Sequence, residues 1–540
     1  MTSNGSRHPI SRRDVLKAGP AALLGLGLAA GTLARHAAAD LRAGLLLQEP
    51  LDIGDDPQFL FDLHTVDSTW GLHEKQDPAL RVGHTKQLFI DDLVIGSVTD
   101  LSRKVHEPSR HAGNPLITGD EPWERWLIGV NGRPVIYDDE SREFKMWYGT
   151  YLPDATAPTG IRYRVCYAVS KDGIRWERPE LGQVEWAGSR GTNILKGGEN
   201  WIRRPNVLKD LGDPDPARRY KMTYADVFNG RTAITKAYSS DGIHWRSNGD
   251  GAPWFRTEHG ANLLGWDPRV ARYVIFTKMP GSQDSMGRST SADFVTWSEP
   301  ETVLAPGPTE GDANFKGLTA FFYEDLYLGF LYNFKRIPST RILVAEAELA
   351  MSRDGRRWQR VTPGESCFRL GPAGSWESDG VFPVAPVVHA DRVWVYYNAW
   401  NVAYGANDEK RVAEGWVENG VRKQYAIGLA TLRLDGFVSL DAGPKTGSLT
   451  TKPLEIPGGS LQVNADVRGE LRAELLDEAD RPLPGYAAAD CRPIRSDDLR
   501  HVIRWKRGAK LEELRGKVVK LRFTLRDGAL YAFGFAKPGR

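Results

Sequence analysis

Cysteine is scarce in this 540-residue sequence: Cys166, Cys367 and Cys491 stand far apart, with no CxxC pair and no Cys/His cluster. That excludes a zinc site of the usual spacing and allows one disulfide at most. An excess of one charge is also missing. Lys and Arg total 71 against 69 Asp and Glu, a net +2 with His neutral, so nucleic acid is not an expected partner. Long apolar runs are absent after the first 40 residues, and no stretch keeps helical periodicity. No ligand spacing calls for a metal or another cofactor, and none is expected. What is abundant is aromatic residues, with 17 Trp and 18 Tyr, alongside 56 Gly and 33 Pro. That mixture suits short strands joined by tight turns, and clefts that stack flat rings.

The N-terminus reads as a targeting segment. Ser11-Arg12-Arg13-Asp14-Val15-Leu16-Lys17 is a twin-arginine pattern, followed by 17 uncharged residues from Ala18 to Ala34 and a small-residue stretch at Ala37-Ala38-Ala39. Residues 1–39 are therefore expected to be a signal peptide for export through the twin-arginine pathway. The mature protein is then periplasmic or extracellular, without a membrane partner after cleavage.

Four segments share one form: Ser170-Lys-Asp-Gly-Ile-Arg-Trp176, Ser239-Ser-Asp-Gly-Ile-His-Trp245, Ser291-Ala-Asp-Phe-Val-Thr-Trp297 and Ser352-Arg-Asp-Gly-Arg-Arg-Trp358. Their aspartates lie 69, 52 and 61 residues apart, the period of a propeller blade. In each, Asp can accept from backbone N–H groups ahead of it, and Gly suits a positive φ. A strand, a polar hairpin and an aromatic strand precede each turn, as in Arg133–Tyr137 followed by Phe144–Tyr148, and the same pair recurs near 205–224, 261–276, 318–330 and 384–397. These repeats predict an all-β protein: an extended arm over residues 40–84, a five-bladed β-propeller over 85–445, and a small β-sandwich over 446–540, where alternating segments such as Glu470–Leu476 and Val518–Leu525 recur.

Phe89-Ile-Asp-Asp-Leu-Val-Ile95, His106-Glu-Pro108, Asn114-Pro-Leu116, Asp120-Glu-Pro-Trp-Glu124 and the blade hairpins resemble exported bacterial proteins described as similar to glycoside hydrolase families 32 and 43. The stretches Asp435–Leu440, Asn464–Asp466, Asp490–Pro493 and Leu530–Phe533 look like the C-terminal sandwich of the same proteins. The resemblance implies carbohydrate as partner and substrate, and carboxylates at the entry of the blades. The family 32 motifs Asn-Asp-Pro-Asn, Arg-Asp-Pro and Glu-Cys-Pro are absent, and Arg204-Pro205-Asn206 stands where Arg-Asp-Pro is expected.

Glycoside hydrolysis needs two carboxyl groups flanking the bond. In a propeller, residues just before each innermost strand converge on the axis. The candidates for catalysis are Glu377, Asp120, Glu124, Asp92, Asp312 and Glu258; those for substrate binding are Arg204, Asn206, Asn262, Trp123 and Trp376. The competing reading is a carbohydrate-binding propeller without catalysis, its loop carboxylates serving as caps or salt bridges.

Overall fold

The computed structural model describes residues 79–153, 161–196, 203–228, 231–247, 254, 261–279, 284–307, 314–336, 343–402, 409–508 and 510–537. The chain divides into two units, Met1–Asp62, which lies outside the described residues together with the expected signal peptide, and Leu63–Arg540. The second is nearly all β.

Strands run in sequence as five antiparallel groups, the fourth and fifth joined in one nine-stranded sheet by a parallel pairing of Ala345 with Gly380. The first holds Leu127–Gly129, Val135–Asp138, Glu143–Pro153 and Ile161–Ser170. The second holds Arg203–Lys209, Tyr220–Phe228 and Arg231–Ser239. The third runs from Ala261–Asp267 through Arg272–Lys278 and Met286–Ser291 to Glu301–Leu304. The fourth contains Phe315–Tyr323, Leu326–Arg336, Leu343–Ser352 and Gln359–Arg360. In the fifth, Gly380–Pro383 and Val387–His389 pair with Arg392–Trp400, which pairs with Tyr425–Arg433. Pairing along each chain order is antiparallel, as the hairpin turns predict. The outermost strand of the fifth group is Ser109–Arg110, which precedes the first group in sequence. The start of this region is thereby hydrogen-bonded to its end.

The repeated turns form as their chemistry dictates. In the first, Ile174 and Arg175 donate backbone N–H to Asp172 Oδ1 at 2.9 and 2.8 Å, and Gly173 N–H donates to Ser170 Oγ at 2.8 Å. Asp241, Asp293 and Asp354 accept the same pair of N–H groups in their turns. Gly173, Gly242 and Gly355 take φ near 70–80°, and Phe294 takes 60° at the matching position. A Cβ on Gly173 would lie 2.8 Å from the Tyr396 hydroxyl, so the site needs Gly for space as well as for φ. The carbonyl exposed by this backbone binds the neighbouring group: Gly173 O accepts from Tyr396 Oη at 2.7 Å, Gly242 O from Trp147 Nε1 at 2.8 Å, and Phe294 O from Tyr238 Oη at 3.1 Å.

A second set of ties joins successive groups at the hairpins. Asp138 accepts from Lys145 and Lys209 at 2.5 and 2.6 Å and from Tyr220 Oη of the second group at 2.9 Å. Asp210 accepts from Lys221 at 2.7 Å and from Tyr273 of the third group at 2.6 Å. Tyr327 of the fourth group donates to Asp267.

The leading strands are linked in a closed series. Asn206 Oδ1 accepts from Arg133 N at 3.0 Å and Leu263 N at 3.1 Å, and its Nδ2 donates to the carbonyls of Arg204 and Ala261. Asn262 Nδ2 donates to Leu318 O at 3.1 Å. These two asparagines play similar parts, facing Thr223 and Phe276 of their second strands. Tyr332 Oη of the fourth group donates to Pro383 O at 2.8 Å, and Ala385 N of the fifth donates to Gly132 O of the first at 2.7 Å. The links run one to two, two to three, three to four, four to five and five to one. A Cβ on Gly132 would lie 1.7 Å from Asn206 Oδ1, so only glycine fits against that amide.

Downstream, the long strands Ser460–Leu476 and Val518–Ala536 pair along most of their length. They belong to one nine-stranded sheet that also takes Gly447–Thr451, Val438–Ala442, Gln87–Leu88, Ile95–Thr99 and Ser102–Val105. The sheet thus draws strands from both sides of residue 445. Alternate residues such as Leu461, Val463, Leu471, Leu521, Phe523 and Phe533 are buried in a common cluster, each contributing about 1.5–3 kcal/mol relative to exposure.

Two predictions follow from these ties. Asn206→Ala strands two buried N–H groups and two carbonyls, so it should lower unfolding free energy by about 3 kcal/mol, measurable by urea denaturation. Burial raises the Asp138 carboxyl, but hydrogen bonds from Lys145, Lys209 and Tyr220 outweigh it and hold the group well below the usual carboxylate range. A depressed pKa contributes stability above the unfolded value near 3.9, and that contribution is lost as pH falls. The melting temperature should therefore drop from pH 5 to pH 3, with a shallower drop in Asp138→Asn.

Candidate functional site

Each leading strand starts at the end where the second and third strands of its group meet, as Gly380 opposite Trp400 opposite Tyr425 illustrates. The repeated turns lie at the other end. Candidate residues that precede leading strands therefore share one end of the five groups. Glu258 and Asp312 lie outside the described residues. The others sort into three kinds of environment.

Glu124 and Glu377 occupy the same place in two groups. Each follows a Trp and stands three residues before a leading strand, Leu127 facing Tyr151 in one and Gly380 facing Trp400 in the other. Each is accompanied by a tyrosine three residues before that facing residue, Tyr148 and Tyr397. Tyr148 Oη donates to Glu124 at 2.5 Å, and Arg178 binds both carboxylate oxygens at 3.0 Å. Asn193 extends this network, donating to Tyr148 Oη at 2.7 Å and accepting from Trp123 Nε1 at 2.9 Å. Trp123 is thus held by its N–H in a buried network. In the fifth group Arg110 Nε lies 3.4 Å from Glu377 Oε2, and Arg110 Nη1 donates to Glu107 at 2.8 Å. Trp376 is half-buried and stacks on Tyr397 with ring centroids 5.6 Å apart. Asn114 donates to Tyr397 Oη at 2.9 Å.

A third Glu–Arg pair, with its glutamate inside the third strand, stands in the fourth group. There Arg360 Nε donates to Glu348 at 2.6 Å and Asn333 Nδ2 donates to the other oxygen at 2.9 Å. Arg178 and Arg360 each follow a residue that bridges the third strand just before the Ser of the repeated turn, Glu177 to Val169 and Gln359 to Met351. Arg110 holds the corresponding place on the outer strand of the fifth group. Glu–Arg pairing across the strands is thus a recurring device of these sheets. It is sealed to different degrees: side-chain exposure is 0% for Glu124, 1% for Glu348 and 10% for Glu377. Burial works against the charge on Arg178, yet the Glu124 contacts hold its proton above the usual arginine range. Burial, with Glu377 second, pushes the Tyr397 hydroxyl far up.

The remaining candidates are exposed or engaged in the fold. Asp120 is exposed, accepting from the Thr118 hydroxyl. Asp92 is exposed and paired with Arg103, whereas Asp91 beside it accepts both arms of Arg353 at 2.9 Å. Asn206 is fully buried, and all four of its hydrogen-bonding positions are taken by backbone, so as placed it presents nothing to a ligand. The Asn262 amide binds the next leading strand. Arg204 is half-buried with φ of 51°. Among the described residues no hydrogen bond or ion pair joins Asp120, Glu124 and Glu377 to one another. The arginines that complete the glutamate sites escaped the sequence reading, although Trp176-Glu-Arg178 and Trp358-Gln-Arg360 repeat a Trp-x-Arg spacing directly after the turn.

No protein-family model matches the chain. An uncharacterized protein of Mycobacterium tuberculosis is 28% identical over 139 residues, 24% of this chain and 41% of the relative; a second strain's protein matches to the same extent. The chain spans about two fifths of the length of these curated relatives. Solved structures similar to it are glycoside hydrolase-like. A glycosyl hydrolase from Bacteroides ovatus is 15% identical with a TM-score of 0.41, covering 61% of this chain and 94% of that one. A GH130 structure, from a family of mannoside phosphorylases containing glycoside hydrolases that target β-1,2 mannosidic linkages in Candida mannan, is 16% identical with a TM-score of 0.41, covering 64% and 95%. At these scores neither reaction nor substrate transfers.

The Glu124 site generates a stability prediction. Glu124→Gln leaves Arg178 without its buried counter-charge and should cost about 3 kcal/mol, read as a lowered denaturation midpoint. The same change at exposed Asp92, Asp92→Asn, should cost less than about 1 kcal/mol.

Proposed function

We propose that the five strand groups form a five-bladed β-propeller and that the chain is an exported glycoside hydrolase-like protein, hydrolysing glycosidic bonds in oligo- or polysaccharides at the end where the leading strands begin. The observation that supports this most is the closed series of links through Asn206, Asn262, Tyr332 and Ala385. Strands linked one to five and back to one share a common centre, so their entry residues converge on a single funnel. A propeller of this kind places Asp120 from the first blade and Glu377 from the fifth as neighbours around the axis. Glu258 and Asp312, which precede the third and fourth leading strands in sequence, are the further candidates. Glu377 is favoured over Glu124 as one of the two carboxyls because part of its side chain reaches solvent. Residues 446–540 supply most of the accompanying β domain, and the twin-arginine segment at 1–39 supplies the export signal.

A second reading, a propeller that binds carbohydrate without cleaving it, is favoured by one observation: Glu124 and Glu377 both face arginines, as the sealed Glu348 does.

Reducing-end release across a panel of arabinan, levan, β-mannan and xylan separates the two. Hydrolysis by the wild type should fall by at least about 100-fold in Glu377→Gln and in Asp120→Asn, with folding unchanged. Full activity in both variants overturns the residue assignment. Retention of a polysaccharide without any release supports the binding reading.

A further inference from the structure

The connections between second and third strands are short in four groups and long in the fifth. Trp400 and Tyr425 bound a connection that carries a short helix, Glu409–Ala413, and a hairpin of Val417–Glu418 with Val421–Arg422. Its position is fixed by register: it leaves the fifth group beside Gly380, at the end where the leading strands begin. Its root is clamped by Asn401, whose Nδ2 donates to Arg422 O at 3.0 Å and whose Oδ1 accepts from Gln424 N at 2.8 Å. Buried Val412 and half-buried Ala413 anchor the helix, Ala413 packing against the cluster of Trp126 and Ile128 in the first group.

Within this insertion Trp416 is half-buried and held from several sides. The Arg411 guanidinium lies 3.6 Å from its ring centroid and Lys423 Nζ lies 5.5 Å away. Trp416 N donates to Arg411 O at 2.9 Å, and Lys423 N donates to Trp416 O at 2.9 Å. Lys423 is itself paired with Glu418 at 3.1 Å. An indole is usually buried for its area or left loose at a surface. This one is fixed on a projecting element by cations and backbone, which removes the entropy cost of ordering it on binding. The exposed Val417 beside it extends the apolar surface.

We infer that Trp416 is a rim subsite that stacks a sugar ring of an extended saccharide, away from the bond that is cleaved. This rests on the carbohydrate reading above. It makes the natural ligand a polymer or long oligosaccharide, one that meets both the ends of the leading strands and the separate insertion that carries Trp416.

The test uses full-length mature protein and affinity gel electrophoresis in arabinan, levan, β-mannan and xylan, followed by a ladder of two to eight units from the polysaccharide that retards the wild type most. Trp416→Ala should weaken polymer binding about tenfold, with less than a twofold change for the disaccharide. Trp416→Phe keeps a ring and should retain at least a third of the affinity. Polymer binding unchanged in Trp416→Ala overturns the inference. Equal losses on disaccharide and polymer also overturn it, as does a loss in Trp416→Phe as complete as in Trp416→Ala. A wild type that neither binds nor hydrolyses any of the four overturns the carbohydrate reading itself.

Discussion

The amide of Asn206 is the contact on which most of this architecture depends. It lies where three strand groups meet, accepting from the first, donating to the third and bracing its own strand through Arg204. A buried amide offers two donors and two acceptor positions, and leaving any of them unmet costs about 1–3 kcal/mol. All four are met here by backbone groups of Arg133, Leu263, Arg204 and Ala261. The amide therefore sets the distance between leading strands, and Gly132 is confined to glycine by the same oxygen. Asn262 repeats the link one group later, and Tyr332 takes it over where the fourth group meets the fifth.

Around that centre, charge is handled by pairing across strands. Buried carboxylates survive only where the desolvation cost is offset by several good hydrogen bonds. Glu124, Glu348 and Asp138 each meet that condition with a cation and at least one further donor. Glu124 and Glu377 occupy matching positions ahead of leading strands, whereas Glu348 lies within a third strand, so Glu–Arg pairing serves the sheets at more than one place. Glu377 differs in degree, being the most open of the three, and Arg110 beside it is shared with Glu107. A fold can reuse a structural pair as chemistry when one copy is left open to solvent.

The strand that ties the start of the strand groups to their end lies beside a candidate glutamate. Ser109–Arg110, which comes before the first group in sequence, completes the fifth. That strand carries Arg110, so the element that joins the two ends of the repeat also supplies the partner of Glu377.

The repeated turns were legible from sequence alone, because their hydrogen bonds join residues two or three apart: Asp172, Asp241, Asp293 and Asp354 bind the N–H groups immediately ahead of them. So were the hairpins, whose alternation is local, and with them the nearly all-β character of the fold. The roles of Asn206 and Glu124 were not. Sequence marks both as polar residues at the start of a strand, a description that fits a ligand contact as well as a staple. Which it is depends on Ala261, 55 positions away, and Arg178, 54 positions away. Local bonding follows from residue type and spacing, and so the sequence by itself determined the all-β repeat. The partner of a buried polar group is chosen by strands meeting in space, and so only the tertiary structure decided which candidate side chains are held by the fold and which remain open.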